Sequence, residues 1–338
     1  MYIENKILKN YISIWLQCMF WIVSIMIVVG GLTRLTDSGL SITQWELFSG
    51  ILPPLSQNDW QYYFQLYKEI PEYKIQNFSM SLKEFKIIYW WEYAHRILGR
   101  FIGLLFIIPL IFFTMKLGFK KLKFFYFIFS LICFQGFIGW YMVSSGLIDR
   151  VDVSHYRLAL HLVIAFIILS LIYWSYLSIK ISDVTFKSIN SIIPLFFTIL
   201  IFFQICIGAF VSGMDAGQIY NSWPLMGSTY FPDDNLLANL FKFSVFNDPS
   251  LVQFLHRNLA YIILFFYIYT YIKIKKLKIL ELLNIINIIG ILLLLQIVLG
   301  IFTLLFNAHI FIASLHQISS IFLVSATIYF LRLNYKSN

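Results

Sequence analysis

The chain has 338 residues, of which 60% are hydrophobic and 12% are charged, and its mean hydropathy of +0.79 is far above that of a water-soluble domain. This composition indicates a protein of the lipid bilayer. The net charge of +9 does not indicate a nucleic-acid-binding surface, because the basic residues are scattered between hydrophobic segments and form no basic patch.

Uncharged apolar runs of about 20 residues predict eight transmembrane helices. In chain order they cover approximately 12–33, 89–115, 124–144, 156–179, 190–212, 251–272, 282–304 and 310–332. Two connections are long, roughly 34–88 and 213–250, and the others are short. The first long connection contains an aromatic and polar run from Asp59 to Tyr67 that predicts a short interfacial helix. An aromatic anchor and a lid over the helix ends are both compatible with it.

The placement of lysine and arginine predicts the orientation of the helices. One side of the predicted topology carries most of the basic residues: Lys6, Lys9, Lys116, Lys120, Lys121, Lys123, Lys180, Lys187, Lys273, Lys275, Lys276, Lys278, Arg332 and Lys336. By the positive-inside rule, both termini are cytoplasmic and the two long connections face outward. The first apolar run is too long for a signal-peptide core, and no Arg/Ser-rich leader is present. We therefore expect a retained helix and a bacterial plasma membrane.

The second half of the chain repeats the first. The matched blocks, which occur in the same order, are 30–39 with 208–217 at an offset of 178 (208 − 30), 92–96 with 253–257 and 135–139 with 296–300 at 161 (253 − 92), and 158–161 with 313–316. Because each half has an even number of helices, the halves share one orientation. The sequence thus predicts an all-α membrane protein of eight transmembrane helices, built as two tandem pseudo-symmetric four-helix bundles, residues 1–185 and 186–338.

Four of the six histidines occupy repeat-related positions, His95, His161, His256 and His316. Each lies near the beginning of a helix predicted to run inward from the outer side, so all four are expected at similar depth near the outer face. Two imidazoles on separate helices can bind one haem iron from both sides, which gives one haem site per half. Hydrogen bonding inside the bundle is the ordinary alternative for one histidine, but two matched pairs favour ligands. Zinc would need further Cys, Asp or Glu ligands, which the second half lacks at helix depth.

Other ionisable residues surround these histidines. His155 and His309 have no repeat partners and are predicted to lie at helix mouths as interfacial residues. The nearby arginines have two possible roles: they pair with haem propionates, or they extend to lipid headgroups. These arginines are Arg96, Arg100, Arg157 and Arg257.

One position distinguishes the two halves. Three residues before the first candidate ligand, the N-terminal half has Glu92 and the C-terminal half has Gln253. One helical turn separates Glu92 from His95, so both are expected to face one site. A carboxylate beside a haem can accept protons, whereas an amide cannot. The N-terminal site is therefore predicted to be chemically active and the C-terminal site to be a static electron carrier. The alternative is that Glu92 only forms a salt bridge with Arg96.

These motifs resemble the COX15/CtaA family of haem A synthases along almost the whole chain. The segments that carry the resemblance are 30–45, 51–60, 90–100, 135–147, 153–162, 210–226, 253–257 and 314–317. The resemblance implies oxidation of the C8 methyl of haem O to the formyl group of haem A, by successive hydroxylations, for insertion into cytochrome c oxidase. It also implies a substrate haem between His95 and His161, a haem b cofactor between His256 and His316, and a functional role for Glu92.

The cysteines indicate a subtype. Some bacterial members of the family carry a cysteine pair in the first outer connection, whereas Cys18, Cys133 and Cys206 of this chain all lie in apolar stretches. The chain therefore resembles the cysteine-free subtype, and we expect the three thiols to be buried small hydrophobic groups.

The resemblance also suggests partners. Haem O is the implied substrate, and haem O synthase, cytochrome c oxidase assembly factors or subunits, and an electron acceptor are candidate partners beside the lipid bilayer. No nucleic acid is expected, and a homo-oligomer is compatible with the sequence. A non-catalytic di-haem b protein that passes electrons from quinol would carry the same histidines, without needing Glu92 to differ from Gln253. A transporter fits the internal repeat, but broken mid-membrane helices are not evident.

Overall fold

The computed structural model describes residues 5–45, 49–181 and 188–336, and these residues form ten α-helices. They are α1 (Lys6–Leu35), α2 (Gln57–Lys68), α3 (Pro71–Ile75), α4 (Leu82–Leu117), α5 (Phe119–Asp149), α6 (His155–Lys180), α7 (Ile192–Gly213), α8 (Pro249–Leu277), α9 (Leu280–Leu305) and α10 (Ile310–Lys336). In this described part, all except α2 and α3 are long and apolar enough to cross a membrane. The predicted number of eight spans is confirmed. The same ranges contain no β-strand, only a bridge between Met226 and Thr229.

Contacts divide the chain into two compact units. One is Trp21–Ala165, and the other combines Met1–Phe20 with Phe166–Asn338. The predicted boundary between residues 185 and 186 lies outside the described residues, as does Lys187. The division into two tandem bundles stays a prediction.

Helix α4 begins at Leu82, well before the predicted position 89. Ser81 caps it: its hydroxyl accepts from the Glu84 N–H, and the Glu84 carboxylate accepts from the Ser81 N–H at 2.8 Å. This capping box fixes the helix start, which hydropathy missed because Lys83 and Glu84 are charged. His95 consequently lies about 20 Å along its helix rather than about two turns from the start.

The first long connection forms the predicted helix, α2, and packs it against α4. A capping box of Ser56 and Asp59 starts α2. Its apolar face is buried in a cluster with residues of α4, of the segment after α1 and of the link before α6: Leu40, Ile42, Trp60, Phe64, Tyr67, Ile70, Phe85, Ile88, Tyr89 and Val153. Burial of this face ties the connection to the segment that leads to His95.

The same connection buries a carboxyl group. Glu72 is 3% exposed and accepts hydrogen bonds from the Tyr67 hydroxyl at 2.8 Å and from the Asn77 amide at 3.3 Å. Burial raises the pKa of Glu72 to about 8, partly offset by the Tyr67 hydrogen bond. Glu72 therefore exchanges a proton near neutral pH.

Short links join successive long helices. Gly118 alone separates α4 from α5, and its φ of +81° lies in the left-handed region that favours glycine. Lys278 and Ile279 separate α8 from α9. We call Trp21–Ala165 the N-terminal unit, and we call the unit that combines Met1–Phe20 with Phe166–Asn338 the C-terminal unit. In the C-terminal unit, α7 and α9 each pack against both α8 and α10. The helices that carry His256 and His316 are therefore held by the two that do not.

Candidate haem sites and a buried carboxylate

His95 on α4 and His161 on α6 face each other within one unit. Their ring centroids are 6.4 Å apart, and the rings are inclined at 68°. Two imidazoles bound to one metal, each through a nitrogen about 2 Å from it, have ring centres about 6 Å apart. Both side chains are only half-buried, so their rings border accessible space. The pair therefore has the separation that two axial ligands of one haem iron require.

His256 on α8 and His316 on α10 form the corresponding pair in the other unit. Both are half-buried, and they lie within electrostatic range of each other. In the described part of the chain, Nδ1 of His161, of His256 and of His316 is buried without a hydrogen-bond partner. Buried polar atoms without a protein partner are expected where a bound group completes the site. These residues therefore fit an iron-bound macrocycle.

A protein-bound zinc ion fits less well. Among residues 5–45, 49–181 and 188–336, no group of three or more His, Cys, Asp or Glu side chains could hold a metal ion. Structural and catalytic zinc sites use at least three protein ligands, whereas haem iron takes only two from the protein. The donor set thus suits haem.

A glycine on a neighbouring helix lies against each of the four imidazoles. A Cβ atom added at the glycine would approach the imidazole closely in every case: 3.1 Å for Gly30 and His95, 3.1 Å for Gly139 and His161, 2.9 Å for Gly208 and His256, and 3.2 Å for Gly300 and His316. These separations are at or below the limit that packed side chains tolerate. Glycine at these positions makes room for the imidazoles.

Glu92 is 2% exposed and held by several donors. Its Oε2 accepts from Ser41 Oγ and from the Ile42 N–H, both at 2.7 Å. Its Oε1 accepts from Arg96 Nε at 3.0 Å and Nη2 at 2.7 Å. The salt bridge left open as an alternative is thus present, within a larger network. These bonds fix the carboxylate one turn from His95.

Arg96 and Arg257 make the same contacts in the two units. Arg96 donates to the main-chain oxygens of Ile42 at 2.8 Å and Gln44 at 3.4 Å. Arg257 donates to those of Tyr220 at 2.9 Å and Ser222 at 3.0 Å, and both of these residues follow at the repeat offset of 178. The Arg96 guanidinium thus binds the segment that follows α1, and the Arg257 guanidinium binds the segment that follows α7.

Glu92 and Gln253 use that segment differently. Glu92 accepts from the Ile42 N–H, whereas Gln253 Nε2 donates to the Tyr220 oxygen at 3.1 Å. The two side chains thus occupy matched places with opposite hydrogen-bonding roles. Only the N-terminal unit has a carboxylate there.

The remaining predicted residues are two arginines and the two histidines without repeat partners. Arg100 lines a small cleft with Tyr63, Tyr89, Tyr93 and Arg96. Arg157 donates to Ser145 Oγ and packs 4.5 Å from the centroid of the Tyr141 ring. His155 is the first residue of α6, and His309 precedes α10, so both lie at helix ends as predicted.

The cysteines differ from expectation. Cys18 and Cys133 are exposed and Cys206 is half-buried, so the prediction that all three are buried is wrong. Cys18 and Cys133 therefore lie on the surface of their helices, where a small apolar thiol can face lipid.

Comparison with known proteins gives the family. The family model COX15-CtaA, described as cytochrome oxidase assembly protein, matches residues 13–328. The chain belongs to the COX15-CtaA family. The heme A synthase of Pelagibacter ubique (strain HTCC1062) is 50% identical over 343 residues, covering 100% of both chains. The heme A synthase of Rickettsia bellii (strain OSU 85-389) is 44% identical, covering 95% of this chain and 97% of that protein.

In this COX15-CtaA member, the site residues that sequence reasoning missed are the four glycines. They were present in the repeat blocks: Gly30 aligns with Gly208, and Gly139 aligns with Gly300. Their recurrence beside histidine-bearing blocks was the available signal. Ser41 was also missed, because no sequence spacing relates it to Glu92.

Proposed function

We propose that this protein is a haem A synthase, an oxidoreductase that converts the C8 methyl group of haem O to the formyl group of haem A for cytochrome c oxidase. Family membership and the names of full-length relatives support this function. The observation that carries the proposal is the buried Glu92, one turn before His95, in the unit whose paired imidazoles match axial ligation.

In this proposal the N-terminal unit holds the substrate. His95 and His161 bind the iron of haem O from opposite sides, which fixes the macrocycle edge relative to the protein. With water as the source of the formyl oxygen, conversion of the methyl group to formyl removes two electron pairs and releases protons from both the carbon and the water. Glu92 accepts a proton, and Ser41 and Arg96 hold its carboxylate in place. Arg100 and Arg157 are candidate partners of the haem propionates.

The C-terminal unit holds the cofactor in the same proposal. His256 and His316 are the residues that would bind haem b, which when bound carries electrons one at a time. Gln253 donates to the main chain where Glu92 accepts from it, so this site has no proton acceptor in the corresponding place. The electrons leave to an acceptor outside this chain.

The orientation follows the distribution of positive charge. We place the protein in a bacterial plasma membrane with both termini in the cytoplasm and both haem sites near the outer face. Residues 1–185 form the substrate half and 186–338 the cofactor half. Haem O synthase, which makes the substrate, is one proposed partner. Oxidase assembly factors, which would receive the product, are the other.

The substitution Glu92→Gln tests the proposal. The variant is expressed beside a source of haem O, purified, and its extracted haems are separated by chromatography. We expect it to keep bound haem but to stop at haem O or a hydroxylated intermediate, because an amide cannot accept the proton. Glu72→Gln is the matched control, since it changes another buried carboxyl group of the same unit. It should give normal haem A.

Two results contradict the proposal. Normal haem A yield from Glu92→Gln removes Glu92 from the mechanism. Wild-type protein that binds haem but leaves haem O unconverted, in the presence of an electron acceptor, supports the di-haem electron carrier instead.

A further inference from the structure

Three of the four candidate ligands share a second neighbour, a glutamine one turn before the glycine. Each of these glutamines donates from Nε2 to the main-chain oxygen of the histidine: Gln135 to His161 at 2.9 Å, Gln204 to His256 at 3.0 Å, and Gln296 to His316 at 2.9 Å. Glutamine and glycine lie on the same helix face, because four positions separate them. Together they bind the backbone and accommodate the ring of one histidine.

These amides stabilise the position of the ligand helices. In an apolar environment a buried amide must find a partner, and a bond between helices fixes their rotation and height. Gln204 also lies 3.3 Å from Nε2 of the His256 ring. Gln296 is further bonded to Ser319 Oγ at 2.7 Å. Both histidines of the C-terminal unit are thus tied to the neighbouring helix.

The fourth position breaks the pattern. At the offset that aligns Gly30 with Gly208, the residue matching Gln204 is Met26. A thioether has no N–H to donate. The Met26 Cε atom instead lies 3.4 Å from the place of a Cβ atom on Gly99, one turn after His95. Met26 therefore packs beside the turn of α4 that follows His95 and offers no N–H to the His95 main-chain oxygen.

We propose that residue 26 sets how readily the substrate-site ligand releases its haem, with Met26 leaving His95 as the exchangeable ligand while glutamines hold His161, His256 and His316. This inference rests on the proposed function. A substrate haem must enter and its product must leave in every cycle, whereas a cofactor haem must stay. The difference between a methionine and a glutamine on the helix beside the ligand meets these opposite needs.

Exchange of residue 26 with its counterpart tests the inference. Full-length protein in detergent, loaded with haem b and haem O, is mixed with apomyoglobin, and the transfer of each haem is followed by absorbance and by chromatography of the remaining pigment. Met26→Gln should slow the transfer of haem O roughly three- to tenfold and leave that of haem b unchanged, since one interhelical hydrogen bond is gained. Gln204→Met should speed the transfer of haem b by a similar factor and leave haem O unchanged.

Two further measurements separate the donor from packing. Met26→Leu, which has no amide, should release haem O at the wild-type rate. The electron paramagnetic resonance signal of the low-spin ferric haem should change only at the site that carries the substitution, because the other pair keeps its ligand geometry.

The outcomes distinguish this inference from the proposed function. It is overturned if Met26→Gln and Gln204→Met release both haems at wild-type rates, or if Met26→Leu slows release as much as Met26→Gln. If His95→Ala and His256→Ala also keep both haems, the ligand assignment itself fails, and the proposed function fails with it.

Discussion

Replacement of Gly139 by alanine tests the close approach between glycine and ligand. A Cβ atom there would lie 3.1 Å from His161 Cε1, about 0.3 Å inside the 3.4 Å at which ordinary contacts begin. The main chain of His161 is held by Gln135, on the same helix as Gly139, so the imidazole ring itself must rotate away from its position. Overpacking of this kind costs about 1–3 kcal/mol, which corresponds to roughly 5- to 150-fold weaker haem O binding.

Gly136 provides the control on the same helix. A Cβ atom added at Gly136 meets nothing within 4 Å, so Gly136→Ala should bind haem O normally. It should also unfold at a slightly higher temperature, because alanine in a helix interior is more stable than glycine by about 0.5–1 kcal/mol. The assay is absorbance titration of purified protein with haem O, with unfolding followed in parallel. Wild-type affinity of Gly139→Ala would refute the steric argument.

Three further predictions follow from other contacts. Ser41→Ala removes one donor to Glu92 and should lower the initial rate of haem A formation about tenfold, with haem content unchanged in the same pigment extract. Glu72→Gln should match wild-type stability below about pH 4.5 and become the more stable protein as pH rises through about 8, since the raised pKa of Glu72 means that ionisation opposes folding; thermal unfolding at a series of pH values measures this. Arg257→Lys cannot bond both Tyr220 and Ser222 as the guanidinium does, and limited proteolysis should cut the connection between α7 and α8 faster.

Hydropathy predicted the number of membrane-spanning helices and their approximate positions. The eight spans follow from runs of apolar residues, because the bilayer imposes a minimum helix length. The same criterion placed the start of α4 too late, since charge at Lys83 and Glu84 resembles a loop. The Ser81 and Glu84 capping box was visible in the sequence and gives the correct start.

The four candidate ligand histidines stay a prediction, which the repeat made by matching them in pairs; the structure brings the ring centroids of His95 and His161 within 6.4 Å of each other. The residues that contact these histidines could be predicted only in part. Glycine and glutamine recur at fixed places in the repeat, yet neither residue type by itself indicates a contact with histidine. The hydrogen bonds of Glu92 could not be predicted from the sequence. Ser41 and Ile42, which donate two of them, lie in an irregular segment, and no periodic pattern predicts where such a segment runs.

The two sites share their arginine contacts and differ in a few residues. Arg96 and Arg257 bind corresponding main-chain oxygens, so the surroundings of the sites are matched. At two corresponding positions the N-terminal unit has Glu92 and Met26 where the C-terminal unit has Gln253 and Gln204. The first difference places a carboxylate where the other site has an amide, and the second places a thioether where the other site has an amide that donates a hydrogen bond between helices. Both lie in the unit proposed to bind the substrate.

Pigment analysis of purified wild type, His95→Ala and His256→Ala tests the central claim of two separate bis-histidine haem sites most directly. The account predicts that the wild type contains haem b together with haem O or haem A, that His95→Ala keeps only haem b, and that His256→Ala loses haem b. Wild-type amounts of both pigments in either variant would contradict it.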